Sequence, residues 1–158
     1  MSTQLAYPSA DFPGPVGVGI DQPEGWQPLP DVAVPLALAK DVEAGAFRPN
    51  VIVIVSRVRR QYGLEQAVAE LLGKLTGVDG YTEIGREERD VAGFPGFRVE
   101  ASFPDAQGGT LAQAVRLTVV DRGPVLDMVQ TTGTCAGHQM AGTWPEIRAI
   151  QDSLRITA

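Results

Sequence analysis

The chain has very few of the residues from which most active sites are built. Its 158 residues include one cysteine and one histidine. A single cysteine excludes an intramolecular disulfide and a cluster of thiolate metal ligands within one chain. The scarcity of cysteine fits a reducing compartment. We therefore expect a cytoplasmic protein for the sequence as given, or an exported one if a signal was removed from a precursor.

Long apolar runs and an excess of positive charge are also absent. No run approaches the roughly 20 apolar residues that a transmembrane helix needs. The first residues, MSTQLAYPSADFPG, contain neither the basic nor the apolar region of a secretory signal. The net charge is −6, whereas non-specific nucleic-acid binding depends on Lys and Arg that neutralise phosphates. We expect neither membrane insertion nor nucleic-acid binding.

The residues that are present suffice for a folded core. Hydrophobic residues make up 44% of the chain and charged residues 20%, close to the averages of globular proteins. A length of 158 residues predicts one domain over residues 1–158. Proline and glycine are frequent before Leu36, and proline disrupts helices. Residues 1–15 are therefore predicted to be irregular.

Apolar patterns predict a run of antiparallel strands. The β-branched run Val51–Val55 is the strongest strand signal, and Phe97–Phe103 alternates apolar with polar residues, as a half-exposed strand does. The last three strands are joined by connections too short for a parallel crossover, which makes them an antiparallel meander. Seven segments are predicted as strands: Val16–Ile20, Val34–Ala39, Val51–Arg60, Tyr81–Arg89, Phe97–Phe103, Leu111–Val120 and Val125–Thr134.

Two amphipathic helices are predicted, one within and one after this run of strands. Apolar residues recur at helical spacing from Leu64 to Leu75, and Gly77 follows as a terminator. Thr143-Trp-Pro-Glu146 matches a capping box with proline in the first turn, and so predicts the start of the second helix. A helical turn within Cys135–Ala141 precedes it. Helices set apart from antiparallel strands indicate an α+β fold.

A nucleophile and base of the Cys-His type would have to use Cys135 and His138. Such pairs are recognised by their arrangement in three dimensions and not by their spacing in the sequence. One interpretation is therefore a small hydrolase or transferase that uses both side chains. The other, which we favour, is a buried structural cysteine near an exposed histidine. Two ligands are too few for a zinc site, so we expect no metal and no cofactor.

An arginine cluster is the first candidate binding surface. Arg57, Arg59 and Arg60 come at the end of the third predicted strand. Guanidinium groups bind carboxylates and phosphates through two parallel hydrogen bonds. The cluster is therefore a candidate anion site, although the solvated end of a strand has the same composition.

Aromatic residues next to turns form the second candidate surface. Phe94 and Phe97 lie around the turn Gly93-Phe-Pro-Gly96, which links two predicted strands. They either fasten the sheet to a helix, which we favour, or present an aromatic side chain at a binding edge. Trp26 follows the turn Pro23-Glu-Gly25 and is the third aromatic candidate.

Several short motifs resemble one protein family. They are Pro23-Glu-Gly25-Trp26, Phe47-Arg-Pro-Asn50 before Val51, Gly93-Phe-Pro-Gly96, and the ending Ile150-Gln-Asp-Ser-Leu-Arg-Ile156-Thr157. Over residues 16–157 the chain is similar to the LpqN/LpqT-type lipoproteins of actinobacteria, which have the Mog1/PsbP-like fold. The resemblance implies an α/β/α sandwich around an antiparallel sheet of six to seven strands, with two main helices. Exported members have a signal peptide and a lipidated cysteine near the N-terminus, whereas the one cysteine of the sequence as given is Cys135. We therefore do not carry the lipoprotein location over as an expectation.

The resemblance also implies a protein without enzymatic activity. Members of this family and of the wider fold act as envelope proteins, adaptors and small binding modules, and the fold alone does not determine which. We expect a non-enzymatic binding or adaptor protein whose partner is another protein. The alternative within this class is a chaperone for secreted or membrane-inserting effectors, which requires an apolar groove large enough to shelter a helix.

Overall fold

The chain forms nine strands and two helices. The computed structural model describes all residues from Met1 to Ala158, and those before Gly17 form neither helix nor strand. The strands are β1 (Gly17–Gly19), β2 (Trp26–Pro28), β3 (Leu36–Lys40), β4 (Asn50–Arg59), β5 (Thr82–Val91), β6 (Phe94–Pro104), β7 (Thr110–Asp121), β8 (Val125–Ala136) and β9 (Arg155–Thr157). The helices are α1 (Leu64–Thr76) and α2 (Met140–Asp152), with a 3-10 turn, Gly137–Gln139, just before α2. Neither helix is long and apolar enough to cross a membrane.

Seven of the strands form one antiparallel sheet. Their order is β2-β3-β4-β8-β7-β6-β5, so β2 and β5 are its edges. The β4–β8 pairing extends over the whole of Asn50–Arg59, and the hairpins β5–β6, β6–β7 and β7–β8 build the other half. The remaining strands, β1 and β9, pair only with each other.

The two helices cover opposite faces of this sheet. Adjacent residues of a strand point to opposite faces, and two residues of β7 show the consequence. Ala114 packs in a cluster with Trp144 and Ile147 of α2, whereas Val115 packs in a cluster with Leu75 of α1. The architecture is therefore the α+β, α/β/α sandwich that the resemblance implied, with seven strands in the main sheet.

Several predicted elements are confirmed. The first helix spans Leu64–Thr76 and ends at Gly77. The three strands β6, β7 and β8 form the predicted antiparallel meander. Edge strand β5 is mostly exposed, as its polar sequence indicates. In each case the side-chain pattern of the segment itself carries enough information to identify the element.

The shortest strands differ from the prediction. Trp26 is predicted only as an aromatic residue after the turn Pro23-Glu-Gly25, yet Trp26–Pro28 pairs with β3, with Trp26 opposite Lys40. Arg155–Thr157 was not expected to form a strand, but it pairs with β1. The strand predicted at Val16–Ile20 therefore forms as Gly17–Gly19 and lies outside the main sheet. Three residues carry too little alternation to be recognised, so the backbone pairing alone defines these strands.

The capping box predicted at Thr143-Trp-Pro-Glu146 is wrong. Helix α2 begins earlier, at Met140, and its N-cap residue Gln139 makes no capping hydrogen bond through its side chain. The hydroxyl of Thr143 and the carboxylate of Glu146 instead accept hydrogen bonds from Lys40 Nζ of β3. The two side chains predicted to cap the helix therefore bind a distant strand instead.

The hairpin between β5 and β6 also departs from its prediction. Ala92 and Gly93 form the turn, with φ of 53° and 87°, as in a two-residue type I′ turn. Phe94 already belongs to β6. Strand β6 is not half-exposed, because Glu100 on its polar side is only 2% exposed and contacts Trp144 of α2.

Candidate functional site

A groove of about 690 Å³ lies between α1 and the β5–β6 edge of the sheet. Helix α1 lines one side of the groove, and the two strands line the other. We call this surface the α1 groove. Its nine lining residues are Leu64, Glu65, Val68, Glu88, Arg89, Asp90, Pro95, Gly96 and Phe97.

Helix and strand periodicity together build an apolar floor. Leu64 and Val68 are four residues apart and so lie on one side of α1. Phe97 of β6 packs in the same cluster as Val68 and is 6% exposed. Gly96 is required beside it, because a Cβ there would lie 2.6 Å from the carbonyl oxygen of Leu117. The apolar part of the groove is limited to these few side chains.

Acidic side chains dominate the rim. Glu65 of α1 and Glu88 and Asp90 of β5 contribute three carboxylates, against the one guanidinium of Arg89. All four residues are exposed. Glu88 is paired with Phe97 across the two strands, which places a carboxylate beside the aromatic floor. The groove thus suits an apolar side chain that is flanked by positive charge.

Cys135 and His138 lie in different environments. Cys135 is 0% exposed and belongs to the core cluster that contains Trp26 and Trp144. Burial raises the pKa of its thiol to about 11, so the thiol is protonated at neutral pH and a poor nucleophile. His138 is exposed on the 3-10 turn. No group of three or more His, Cys, Asp and Glu side chains is arranged to hold a metal ion.

Two of the three candidate arginines make contacts within the chain. Arg57 donates a hydrogen bond to the carbonyl oxygen of Pro13, in the segment before β1. Arg60 donates to both carboxylate oxygens of Asp121, at the end of β7. Arg59 is exposed at the end of β4. The binding of an external anion by this cluster stays a prediction.

The three aromatic candidates belong to three separate clusters. Trp26 is 1% exposed, and its Nε1 donates a hydrogen bond to Glu146 at 2.9 Å. Phe94 packs against the cluster that contains Val91, whereas Phe97 packs against α1 on the other face. Of the three, only Phe97 lines the α1 groove.

A family model described as "Probable lipoprotein LpqN" matches residues 5–157 of the chain. The chain belongs to the LpqN family. This confirms the resemblance that the short motifs indicated. No curated protein matches the LpqN-family chain at significant sequence similarity.

Solved structures share the fold of this LpqN-family chain at low sequence identity. LpqN of Mycobacterium tuberculosis, described as involved in cell envelope biogenesis, is 16% identical, with a TM-score of 0.80 over 92% of this chain and 86% of that chain. PsbP of Synechocystis is 13% identical, with a TM-score of 0.57 over 99% of this chain and 98% of that chain. The Ran-binding protein Mog1p of Saccharomyces cerevisiae is 12% identical, with a TM-score of 0.54 over 87% of this chain and 89% of that chain. These likenesses show the Mog1/PsbP-like fold.

The LpqN-family chain carries a second, wholly charged surface on the opposite face of the sheet, beside α2. We call it the arginine cleft, and its volume is about 220 Å³. The sequence analysis did not identify this surface. The signals that could have indicated it are an arginine inside the apolar strand β7 and the charged alternation of β6, but neither shows that distant segments converge. Its lining residues are Glu87, Arg89, Arg98, Glu100, Arg116, Arg148 and Asp152.

Glu100 is the most buried carboxylate of this cleft. Arg148 donates to its two oxygens through Nε at 3.1 Å and Nη2 at 2.5 Å, and Trp144 Nε1 donates at 3.3 Å. Burial raises the pKa of Glu100, but hydrogen bonds and charge from Arg148, Trp144 and Arg98 outweigh it, so the pKa lies below its ordinary value. Glu100 is therefore ionised and tied to its neighbours.

Proposed function

We propose that this LpqN-family chain is a non-catalytic binding protein whose α1 groove binds a segment of another protein. The observation that carries the proposal is the groove itself, an open surface with an apolar floor and an acidic rim. Protein interfaces commonly centre on a buried apolar anchor surrounded by polar contacts. The α1 groove combines the same two features, a few apolar side chains and a polar rim, over a small area.

The groove defines the chemistry of the partner segment. Three of its nine lining residues are hydrophobic, which suits one or two apolar anchor residues and not the whole apolar face of a helix. The surplus of carboxylates at Glu65, Glu88 and Asp90 attracts Lys or Arg next to the anchor. We therefore propose a partner segment with an apolar residue flanked by basic residues. The small apolar floor favours this partner over the sheltered helix of a membrane-inserting effector.

A catalytic role through Cys135 and His138 is disfavoured by their environments. The thiol lies in the core and is neutral at physiological pH because burial raises its pKa to about 11. A substrate would have to open the cluster around Trp26 and Trp144 to reach it. Binding without turnover requires no such opening.

The cell envelope is the setting that we propose for this binding. The family description is that of a lipoprotein, and the similar protein of Mycobacterium tuberculosis is described as involved in cell envelope biogenesis. Fractionation of native cells that express the tagged protein from its own locus tests the location. Recovery in the cytosolic fraction alone would contradict this part of the proposal.

A site-specific crosslinking experiment tests the groove as the binding surface. The photoreactive residue p-benzoylphenylalanine replaces Leu64 at the groove, and in a control it replaces the exposed Glu24. Both proteins are irradiated in native lysate, and proteins captured only from Leu64 are identified by mass spectrometry. Each such protein is then purified, and its affinity for the unmodified chain is measured by calorimetry.

Charge reversal decides whether the captured protein uses the acidic rim. The pair Glu65→Lys and Glu88→Lys should weaken binding about tenfold or more. The pair Glu24→Lys and Asp31→Lys changes the net charge equally on exposed residues outside the groove and should leave the affinity nearly unchanged. Equal affinity of both double variants, or no capture specific to Leu64, would overturn the proposal.

A further inference from the structure

The arginine cleft concentrates positive charge in an acidic chain. It is lined by four guanidinium groups and three carboxylates, with no hydrophobic residue, whereas the whole chain carries a net charge of −6. The arginines come from β5, β6, β7 and α2, so four separate segments place their side chains around about 220 Å³. A row of charges along one exposed strand arises from a single segment. Here, four segments that are distant in the sequence meet in one place.

Arg116 is the buried centre of the cleft. It is 6% exposed, in the middle of β7. Its Nη1 donates a hydrogen bond to Asp152 Oδ1, but its Nε is buried without any hydrogen-bond partner. A buried charged donor without a partner is costly. The protein itself therefore leaves one donor of this guanidinium without an acceptor.

Asp152 places a carboxylate between two arginines of the cleft. Its Oδ1 lies 2.5 Å from Arg116 Nη1 and 3.9 Å from Arg89 Nη2. The Asp152 side chain is 57% exposed, at the last residue of α2. A carboxylate on the solvent side, bound between two arginines, is an internal anion that can rotate away into water.

We infer that the arginine cleft binds a phosphate monoester dianion, which displaces the carboxylate of Asp152 from Arg116 and Arg89. With Asp152 rotated out, four guanidinium groups face two remaining carboxylates, Glu87 and Glu100. The resulting excess of two positive charges matches a dianion. Arginine forks suit tetrahedral phosphate oxygens.

The size and lining of the cleft restrict the rest of the ligand. A space of about 220 Å³ without hydrophobic residues accommodates the phosphate group, while the esterified part extends into solvent. A free phosphate ester and the headgroup of a membrane phospholipid present this same group. The inference does not rest on the proposed protein partner. The apolar floor of the α1 groove faces α1 on the other side of the sheet, and Arg89 is the one residue that lines both surfaces.

Binding of glycerol 3-phosphate at low ionic strength tests the inference. The affinity is measured by calorimetry for the unmodified chain and for three folded variants, with folding checked by circular dichroism. Arg116→Gln should weaken binding about tenfold to a hundredfold, because a charge-assisted hydrogen bond is lost. Asp152→Asn should strengthen binding several-fold, because the competing carboxylate is removed. Arg155→Gln changes one charge outside the cleft and should have little effect.

The opposite responses at positions 116 and 152 distinguish a built site from general charge attraction. If Arg116→Gln does not fold, Arg89→Gln at the exposed rim replaces it. Equal affinities in all variants, or no binding by Asp152→Asn, would overturn the inference. Vesicles of phosphatidylcholine with and without phosphatidic acid then identify the source. Selective binding to phosphatidic acid supports a lipid headgroup, and binding only to glycerol 3-phosphate supports a soluble ester.

Discussion

The carboxylate of Asp127 in β8 accepts a hydrogen bond at 3.0 Å from the backbone N–H of Val16, 111 residues earlier in the chain. Asp127 is 0% exposed and lies within 4 Å of Arg57 and Arg122. Arg122 in turn donates to the carbonyl oxygen of Gly14. One buried carboxylate and two arginines therefore fasten the segment before β1 to the main sheet.

Replacing Asp127 should release this segment. Asp127→Ala leaves the amide of Val16 without its acceptor and removes the negative charge beside Arg57 and Arg122. We expect a loss of about 3 kcal/mol in the free energy of unfolding. Urea denaturation measures the loss, and limited proteolysis should cut before Gly17 faster than in the unmodified chain. Asp121→Ala, which removes an exposed partner of Arg60, should cost far less. Equal losses for the two variants would contradict the role of burial.

Glu100 should make the stability of the protein depend on pH. Its pKa is lower in the folded chain than its ordinary value of 4.5, so the unfolded chain takes up a proton first as the pH falls. The stabilisation by ionised Glu100 is therefore present above about pH 5 and is lost as the pH falls through the folded-state pKa. Glu100→Gln should reduce the free energy of unfolding by about 2 kcal/mol at pH 7.

The test of this prediction is the difference between the unmodified chain and Glu100→Gln across pH. Urea denaturation from pH 7 to pH 3 should show that difference shrinking on acidification. The exposed Glu24→Gln serves as the control, with a small difference at every pH. A difference that stays constant or grows below pH 5 would show that Glu100 is not stabilised by its charge.

Cys135 should resist thiol reagents while the protein is folded. Burial raises the pKa of its thiol to about 11 and leaves it 0% exposed, so reaction requires opening of the core. At pH 8 the modification by a disulfide reagent, followed by absorbance, should be about a hundredfold or more slower in buffer than in urea that unfolds the chain. Rapid stoichiometric labelling of the folded protein would contradict the buried position and reopen a catalytic role.

Gly133 and Ile147 should be energetically coupled. A Cβ added to Gly133 of β8 would overlap Cγ2 of Ile147 in α2, so Gly133→Ala should cost about 1–3 kcal/mol through overpacking. Ile147→Ala alone should cost about 2–5 kcal/mol, because it leaves a cavity. In the double variant the new methyl group enters that cavity, so the combined loss should be smaller than the sum. Additive losses in urea denaturation would show that α2 shifts to accommodate the methyl group.

The spacing of apolar residues predicted those helices and strands in which the segment itself has a clear apolar face. The helical spacing of Leu64 and Val68 located α1, and alternating residues located the meander. Predictions from local motifs were wrong where a distant residue competed for the same group. Glu146 matches a capping box, but Lys40 and Trp26 hold its carboxylate, and α2 begins before that motif.

The candidate sites were less predictable than the fold. Phe97 was identified as an aromatic near a turn, and it does line the α1 groove. The groove itself depends on how α1 crosses the edge of the sheet, which no short motif encodes. Arg116 stands out in the apolar strand β7, but the pattern does not show that Arg148 and Asp152 lie beside it.

The sequence by itself determined the class of fold, the two helices, the central antiparallel strands and the scarcity of groups for thiol or imidazole chemistry. These properties depend on composition and on periods of two and 3.6 residues, which are local. Only the tertiary structure decided which charges are buried and which surfaces are concave. Arg116 and Asp152 are 36 residues apart in the chain and form an ion pair in the fold, because β7 and α2 pack together. A local sequence pattern cannot show such a contact, because the contact forms only when the helix packs on the sheet.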